Sequence, residues 1–151
     1  MSCIRFNTGA QREQMKSLSG TERSVDPVAQ FLSPQLTDSK IRRVRLLAAD
    51  PNPVIRQSAA LGYHTPPDVI DALAADPDAS VRECLARNPT TPCDVLRKLA
   101  TDPEERVRAF VAVNYSVPAD AMKKLAEDSS ELVRSLVAWK VSLRAEELAG
   151  V

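Results

Sequence analysis

The chain has 151 residues, 44% hydrophobic and 26% charged with a formal net charge of zero, proportions that suit one domain with a continuous core and exclude a wholly disordered or membrane-embedded protein. Charge is uneven: residues 1–49 hold 8 Lys and Arg against 4 Asp and Glu, while residues 50–151 hold 12 against 16, which argues against a basic footprint for nucleic acid over the body of the molecule. No apolar stretch approaches a signal-peptide core or the roughly 18 residues of a spanning helix, so a cytoplasmic location is expected.

In chain order, residues 1–24 are polar, contain Gly9 and Gly20, and lack lasting periodicity, as expected of a flexible tail. The tail precedes a single helical domain over 25–151. Asp26-Pro27 opens a short helix to about Leu32, Ser33-Pro34 interrupts it, and Thr37 or Asp38 caps a helix ending near Ala49. This region, 25–49, is an N-terminal cap bearing Ile41, Val44, Leu47 and Ala48 on one side.

From residue 50 the chain repeats itself every 26 residues. Asp50-Pro51 returns as Asp76-Pro77, Asp102-Pro103 and, weakened, Asp128-Ser129; Ile55-Arg56 returns as Val81-Arg82, Val107-Arg108 and Val133-Arg134. Thr65-Pro66 returns as Thr91-Pro92 and Val117-Pro118, and alanine fills the columns Ala48, Ala74, Ala100, Ala126 and Ala60, Ala86, Ala112, Ala138. Proline is at ease in the first turn of a helix, where its missing N–H costs nothing. Each Asp-Pro therefore predicts a helix start with the aspartate as N-cap, and Thr65 and Thr91 predict caps for the other helix of each unit. Gly62, Asn88 and Asn114, one column past the second helix, predict left-handed C′ positions; Lys140 breaks that column. Val69, Ile70, Leu73 and their counterparts, with Val81, Leu85, Val107, Val111, Val133 and Val137, give each helix an inward stripe. Pairs this short bury their apolar faces only by stacking, so repeats over 50–142 and a capping helix over 143–151 are expected to build an all-α, right-handed α-solenoid. Whether the second helices are α or 3₁₀ stays open.

The run from Asn88 to Arg108, with its N-P-x-T-P, L-x-x-L-A and D-P-x-x-x-V-R segments, resembles the leucine-rich repeat variant family, itself similar in style to HEAT repeats. The likeness covers roughly residues 47–142 and implies a solenoid of alternating α and 3₁₀ helices. Members with an iron–sulfur cluster carry it in a cysteine-rich segment ahead of the repeats. Here that segment has only Cys3, so no cofactor is implied.

Cys3, Cys84 and Cys93 make an odd number without a C-x-x-C pair and read as reduced thiols. Cys84 falls in a core-facing column with Ser58, Phe110 and Leu136. Cys93 lies in a first helical turn, where the helix dipole can activate a thiol; a redox or metal role for it is a third-ranked reading. His64, the one histidine, reads as a loop residue. No residue is assigned to catalysis, a cofactor or a metal, and an enzyme is not expected.

The column Arg56, Arg82, Arg108, Arg134 has two readings. It pairs with Asp50, Asp76, Asp102 and Asp128 as a structural ladder of forked ion pairs, or with Arg42, Arg43 and Arg45 it contacts successive phosphates of a nucleic acid. The lockstep of Asp with Arg favours the ladder. Columns that vary between repeats are better placed for a partner. Leu61, Arg87, Val113, Trp139 and the neighbouring Tyr63, Pro89, Tyr115, Val141 are two such columns, and Tyr63, Arg87, Tyr115 and Trp139 are the expected contacts for another protein. Asp71, Arg97 and Lys123 read as a solvated face. A non-enzymatic scaffold for protein–protein interaction is the first expectation, and a nucleic-acid-binding solenoid the second.

Overall fold

A computed structural model describes residues 37–149, with side chains through Leu143. The predicted tail, the short helix from Pro27 and Cys3 lie outside the described residues. Those residues are all-α, eight helices with no strand among them: α1 (Asp38–Ala48), α2 (Pro53–Ala60), α3 (Pro67–Leu73), α4 (Ala79–Arg87), α5 (Cys93–Leu99), α6 (Glu105–Val113), α7 (Ala119–Ala126) and α8 (Glu131–Ala149).

The helices form two rows. In one, α1 packs on α2, α2 on α4, α4 on α6 and α6 on α8; α3, α5 and α7 flank it. The core between the rows is built from the expected apolar stripes, with Leu73, Val81, Leu85, Leu96, Leu99, Val107, Val111, Leu125 and Val133 fully buried. Burying each such side chain is worth about 1.5–3 kcal/mol. Ala60, Ala86 and Ala112 are completely enclosed: a methyl group is all the space between neighbouring helices accommodates. Ala138, in the same column, is exposed because no helix follows α8 among the described residues.

Thr37 caps α1 as the sequence suggests, its hydroxyl accepting the Lys40 N–H, but local chemistry departs from expectation at the repeated boundaries that follow. The helices of the first row begin two to three residues after the Asp-Pro pairs, so the prolines lie ahead of them and the aspartates are not N-caps. Asn52 and Asp78 are the capping residues, accepting hydrogen bonds from the N–H groups of Val54 and Ser80. Each column aspartate instead closes an Asx turn: Oδ1 accepts the N–H two residues on, from Asn52, Asp78, Glu104 and Ser130, at 2.8–2.9 Å. Aspartate serves this turn as readily as it serves a cap.

Thr65 and Thr91 do not cap the helices after them; those start at Pro67 and Cys93 without a side-chain cap. Their hydroxyls point back and donate to the carbonyls of Ala59 and Leu85, each at 2.7 Å, satisfying helix-terminal acceptors that have no intrahelical donor. Asn88 and Asn114 are extended C-caps, with φ of −68° and −60°, not left-handed ones. Gly62 is explained by space: a Cβ there would lie 2.7 Å from Thr65 Oγ1. The second helix of each unit is α-helical, which resolves the α or 3₁₀ alternative. The separate capping helix expected from 143 is absent, because α8 runs unbroken from Glu131 to Ala149. The Asn and Pro that end α4 and α6 are replaced by Lys140 and Arg144 in the corresponding columns, and both are good helix formers.

Candidate interaction surface

One edge of the first helical row carries a ladder of arginines. Arg56 Nε and Nη2 fork onto the carboxylate of Asp76 at 2.7 and 2.9 Å, and Arg82 does the same to Asp102 and Arg108 to Asp128. The third nitrogen, Nη1, turns the other way and donates to the carbonyls of Asp50 and Pro51 from Arg56, with the same pattern from Arg82 and Arg108. Each guanidinium thus joins the turn ahead of its own helix to the turn ahead of the next. The aspartate six residues earlier is held through its backbone carbonyl, and the carboxylate that is forked lies 20 residues later.

The pairs are well enclosed: the Arg82 and Asp102 side chains are 13% and 5% exposed. Hydrogen bonds from the arginines hold Asp76 and Asp128 below the usual carboxylate range. At Asp102 burial pushes the other way, but the Arg82 fork and the Glu104 N–H outweigh it. The same contacts raise Arg56, Arg82 and Arg108. A hollow of about 350 Å³ opens beside this edge between Ala74, Asp76, Arg82, Leu99 and Asp102.

A second ladder runs along the opposite ends of these helices, only weakly hinted at by the spacing of Asn88, Asn114 and Lys140. The Asn88 side-chain amide donates to the carbonyls of Ala60 (2.7 Å) and Gly62 (3.0 Å), and Asn114 donates to those of Ala86 (2.6 Å) and Asn88 (3.0 Å). Their Oδ1 atoms accept the N–H of Thr90 and Ser116. Asparagine provides the donors and the acceptor that tie a helix end to both the preceding unit and its own turn. In the third position Lys140 takes over: its ammonium donates to the carbonyl of Ala112 at 3.0 Å and to that of Asn114. Lys140 is 8% exposed, and burial lowers its pKa to about 8. The regular placement of Asn88, Asn114 and Lys140 was the available signal; their partners lie 26 and 28 residues away and depend on how the helices stack.

Exposed pairs tie α1 to α3, Arg45 with Asp68, and join α5 to α7, Arg97 with Asp120 and with Asp94 in its own helix. Arg97, expected on a solvated face, is therefore paired, and Arg45 is engaged with α3. Among the predicted partner contacts, Tyr63 is 71% exposed, Trp139 54% and Tyr115 42%. Pro89 in the same neighbourhood is exposed, and Leu61 and Val141 add apolar surface. Arg87 is exposed but its guanidinium lies over the Phe110 ring, 5.0 Å from the centroid, so its first contact is within the molecule. Tyr63 and Tyr115 stand two units apart in the column and form separate points along one edge.

No family model, curated protein or solved structure matches the chain.

Of the remaining candidates, His64 is exposed. Cys84 is buried, and desolvation raises its thiol pKa, which disfavours the reactive thiolate. Cys93 is disulfide-bonded, a departure from the expectation of three reduced thiols. Among the described residues no group of three or more His, Cys, Asp and Glu is placed to hold a metal ion, and no helix is long and apolar enough to cross a membrane.

Proposed function

We propose that the chain is a right-handed α-solenoid of 26-residue units, akin to the leucine-rich repeat variant and HEAT-like repeats, and that it is a non-enzymatic scaffold for protein–protein interaction. The repetition of the same hydrogen bonds from unit to unit supports the solenoid reading. The division of labour among columns supports the binding reading: residues fixed from unit to unit are engaged in joining helices, while Tyr63 and Trp139 project from columns that vary. Amphipathic aromatics of this kind are enriched among residues that dominate interface energies.

The arginine ladder supports the nucleic-acid alternative less well. A phosphate would have to displace Asp76, Asp102 or Asp128 from a bidentate fork that is already largely desolvated, and would leave that carboxylate unpaired. A pull-down with and without nuclease, repeated with Tyr63, Tyr115 and Trp139 all changed to Ala in a variant of unchanged helicity, tests both. A protein partner retained after nuclease and lost with the triple variant is the expected outcome. Recovery of nucleic acid with strongly salt-dependent affinity would overturn it.

A further inference from the structure

Cys93 stands on the edge where the loops between helices carry the exposed tyrosines. It is half-buried at the start of α5, and its Sγ lies 3.5 Å from the carbonyl oxygen of Ser116, in the loop that bears Tyr115. That loop is tied to the one ahead of Cys93 by the Ser116 hydroxyl, which donates to the Pro89 carbonyl at 3.0 Å. On the other side the Asn88 amide donates to the carbonyl of Gly62, next to Tyr63, at 3.0 Å. The sulfur therefore adjoins the Tyr115 loop, with the Tyr63 loop one unit back.

Cys93 is disulfide-bonded, whereas Cys84 is a buried free thiol. The chain has three cysteines, so within one molecule only Cys3 can complete the bond. Its reach is ample: residues 4–36 lie between Cys3 and Thr37, and at about 3.3 Å per residue they extend to roughly 110 Å. A 100-residue domain has a radius of gyration of only about 13 Å. Cys3 is also flanked by Met1, Ile4 and Phe6, an apolar set suited to the exposed surface of Leu61, Tyr63 and Tyr115.

We propose that Cys3 is the disulfide partner of Cys93, and that oxidation thereby straps residues 1–6 over the loop edge beside Tyr115 while reduction releases them. The occupant of this edge in the oxidised chain is its own N-terminal segment. Closure is a thiol–disulfide exchange with a low-molecular-weight disulfide as the oxidant. One cysteine thiolate attacks it, expelling one small thiol and leaving a mixed disulfide; the other cysteine thiolate attacks the protein sulfur of that mixed disulfide and expels the second small thiol. Two protein thiols lose two electrons and two protons, and one small disulfide becomes two thiols. In a reducing compartment such a bond is transient and serves redox sensing. Control of partner binding by this strap rests on the scaffold reading, but the pairing and the cover it provides do not.

The full chain, equilibrated with oxidised or with reduced glutathione, tests the proposal. After free thiols are blocked, digestion without reduction and mass spectrometry are expected to recover Cys3 and Cys93 in one linked peptide with Cys84 unlinked, from a protein of monomeric mass. Tyr63 and Tyr115 are the two tyrosines of the chain, so ring-labelled tyrosine gives two NMR signals. Relaxation of the Tyr115 signal by a neutral paramagnetic solute is expected to be lost on oxidation and to return on reduction. Cys3→Ser should keep Tyr115 accessible in both buffers. A Cys93 thiol that stays free in oxidised glutathione, or that bonds to a second copy, overturns the proposal. So does a Cys3–Cys93 link that leaves the accessibility of Tyr115 unchanged. Both readouts are taken without a partner, so failure of the strap is distinguished from failure of the scaffold reading.

Discussion

An interior unit and the last unit begin alike and end differently. From Asp76 to Leu85 and from Asp128 to Val137 the chain makes the same Asx turn, the same Nη1 contacts to the turn carbonyls and the same buried valine, Val81 and Val133. Past that point Asn88 turns extended and ends α4, whereas Lys140 stays within α8. Both nevertheless reach back to the helix-terminal carbonyls of the preceding unit. What is required at this position is a long enough donor aimed at the neighbour. The turn is a separate decision made by Asn together with the proline four residues later, at Pro92 and Pro118. A lysine on a continuing helix reaches with length what asparagine reaches by bending the backbone.

The comparison is broken most severely on the arginine edge. Arg82→Ala leaves the buried Asp102 carboxylate without its fork and is expected to destabilise the protein by about 3–5 kcal/mol, whereas Arg134→Ala, exposed and with no carboxylate partner among the described residues, should cost about 1 kcal/mol or less. Denaturant midpoints of the two variants at unchanged m-value check the difference. Equal losses would mean that the Nη1 contacts, common to both, carry the energy.

Next in size are the opposite helix ends. Asn114→Leu removes donors from the carbonyls of Ala86 and Asn88 and is expected to cost about 1–3 kcal/mol, and Lys140→Met should fall in the same range if the two residues are equivalent in role. The lysine differs in its response to pH. Its folded-state pKa, about 8, lies below its ordinary value, so between pH 8 and roughly 10.4 the unfolded chain binds the additional proton. Stability from this group therefore rises with pH across that window, by no more than about 3 kcal/mol. Lys140→Met should flatten this rise in a pH series of unfolding curves, while Asn114→Leu should leave it intact.

The acidic limb has the opposite origin. Asp76, Asp102 and Asp128 titrate below their unfolded value, so the unfolded chain takes up protons first. Their stabilisation is complete above about pH 4 and is lost as pH falls through the folded-state pKa values. Acid unfolding of Asp102→Asn should show a shallower dependence on pH than the parent. The smallest effect is expected at the exposed edge: Tyr63→Ala should change stability by about 0.5 kcal/mol or less, and a larger loss in thermal unfolding would show that this side chain is structural.

The core was legible because its signal is local and repeated: Val81, Leu85, Leu96 and Leu99 recur at spacings that place them on one face before any neighbour is known. The bracketing of helices by Asp-Pro and Thr-Pro was legible too, but the partner of each polar group was not. Asp76 as an N-cap and Asp76 as an Asx turn differ by a rotation of a few bonds, and the fork that Arg56 places on its carboxylate comes from 20 residues earlier in the chain. Thr91 likewise turned away from its own helix because the Leu85 carbonyl, with no intrahelical donor, lay within reach.

By itself the sequence determined the helical class and the inward stripes, both consequences of periodicity along a single chain. Only the tertiary structure decided which carboxylate each arginine forks and that Asn88 and Lys140 do related work. Those outcomes depend on groups 20 to 28 residues apart coming within hydrogen-bonding distance, and a hydrogen bond is specified by position and direction in space, which composition and spacing along the chain do not encode.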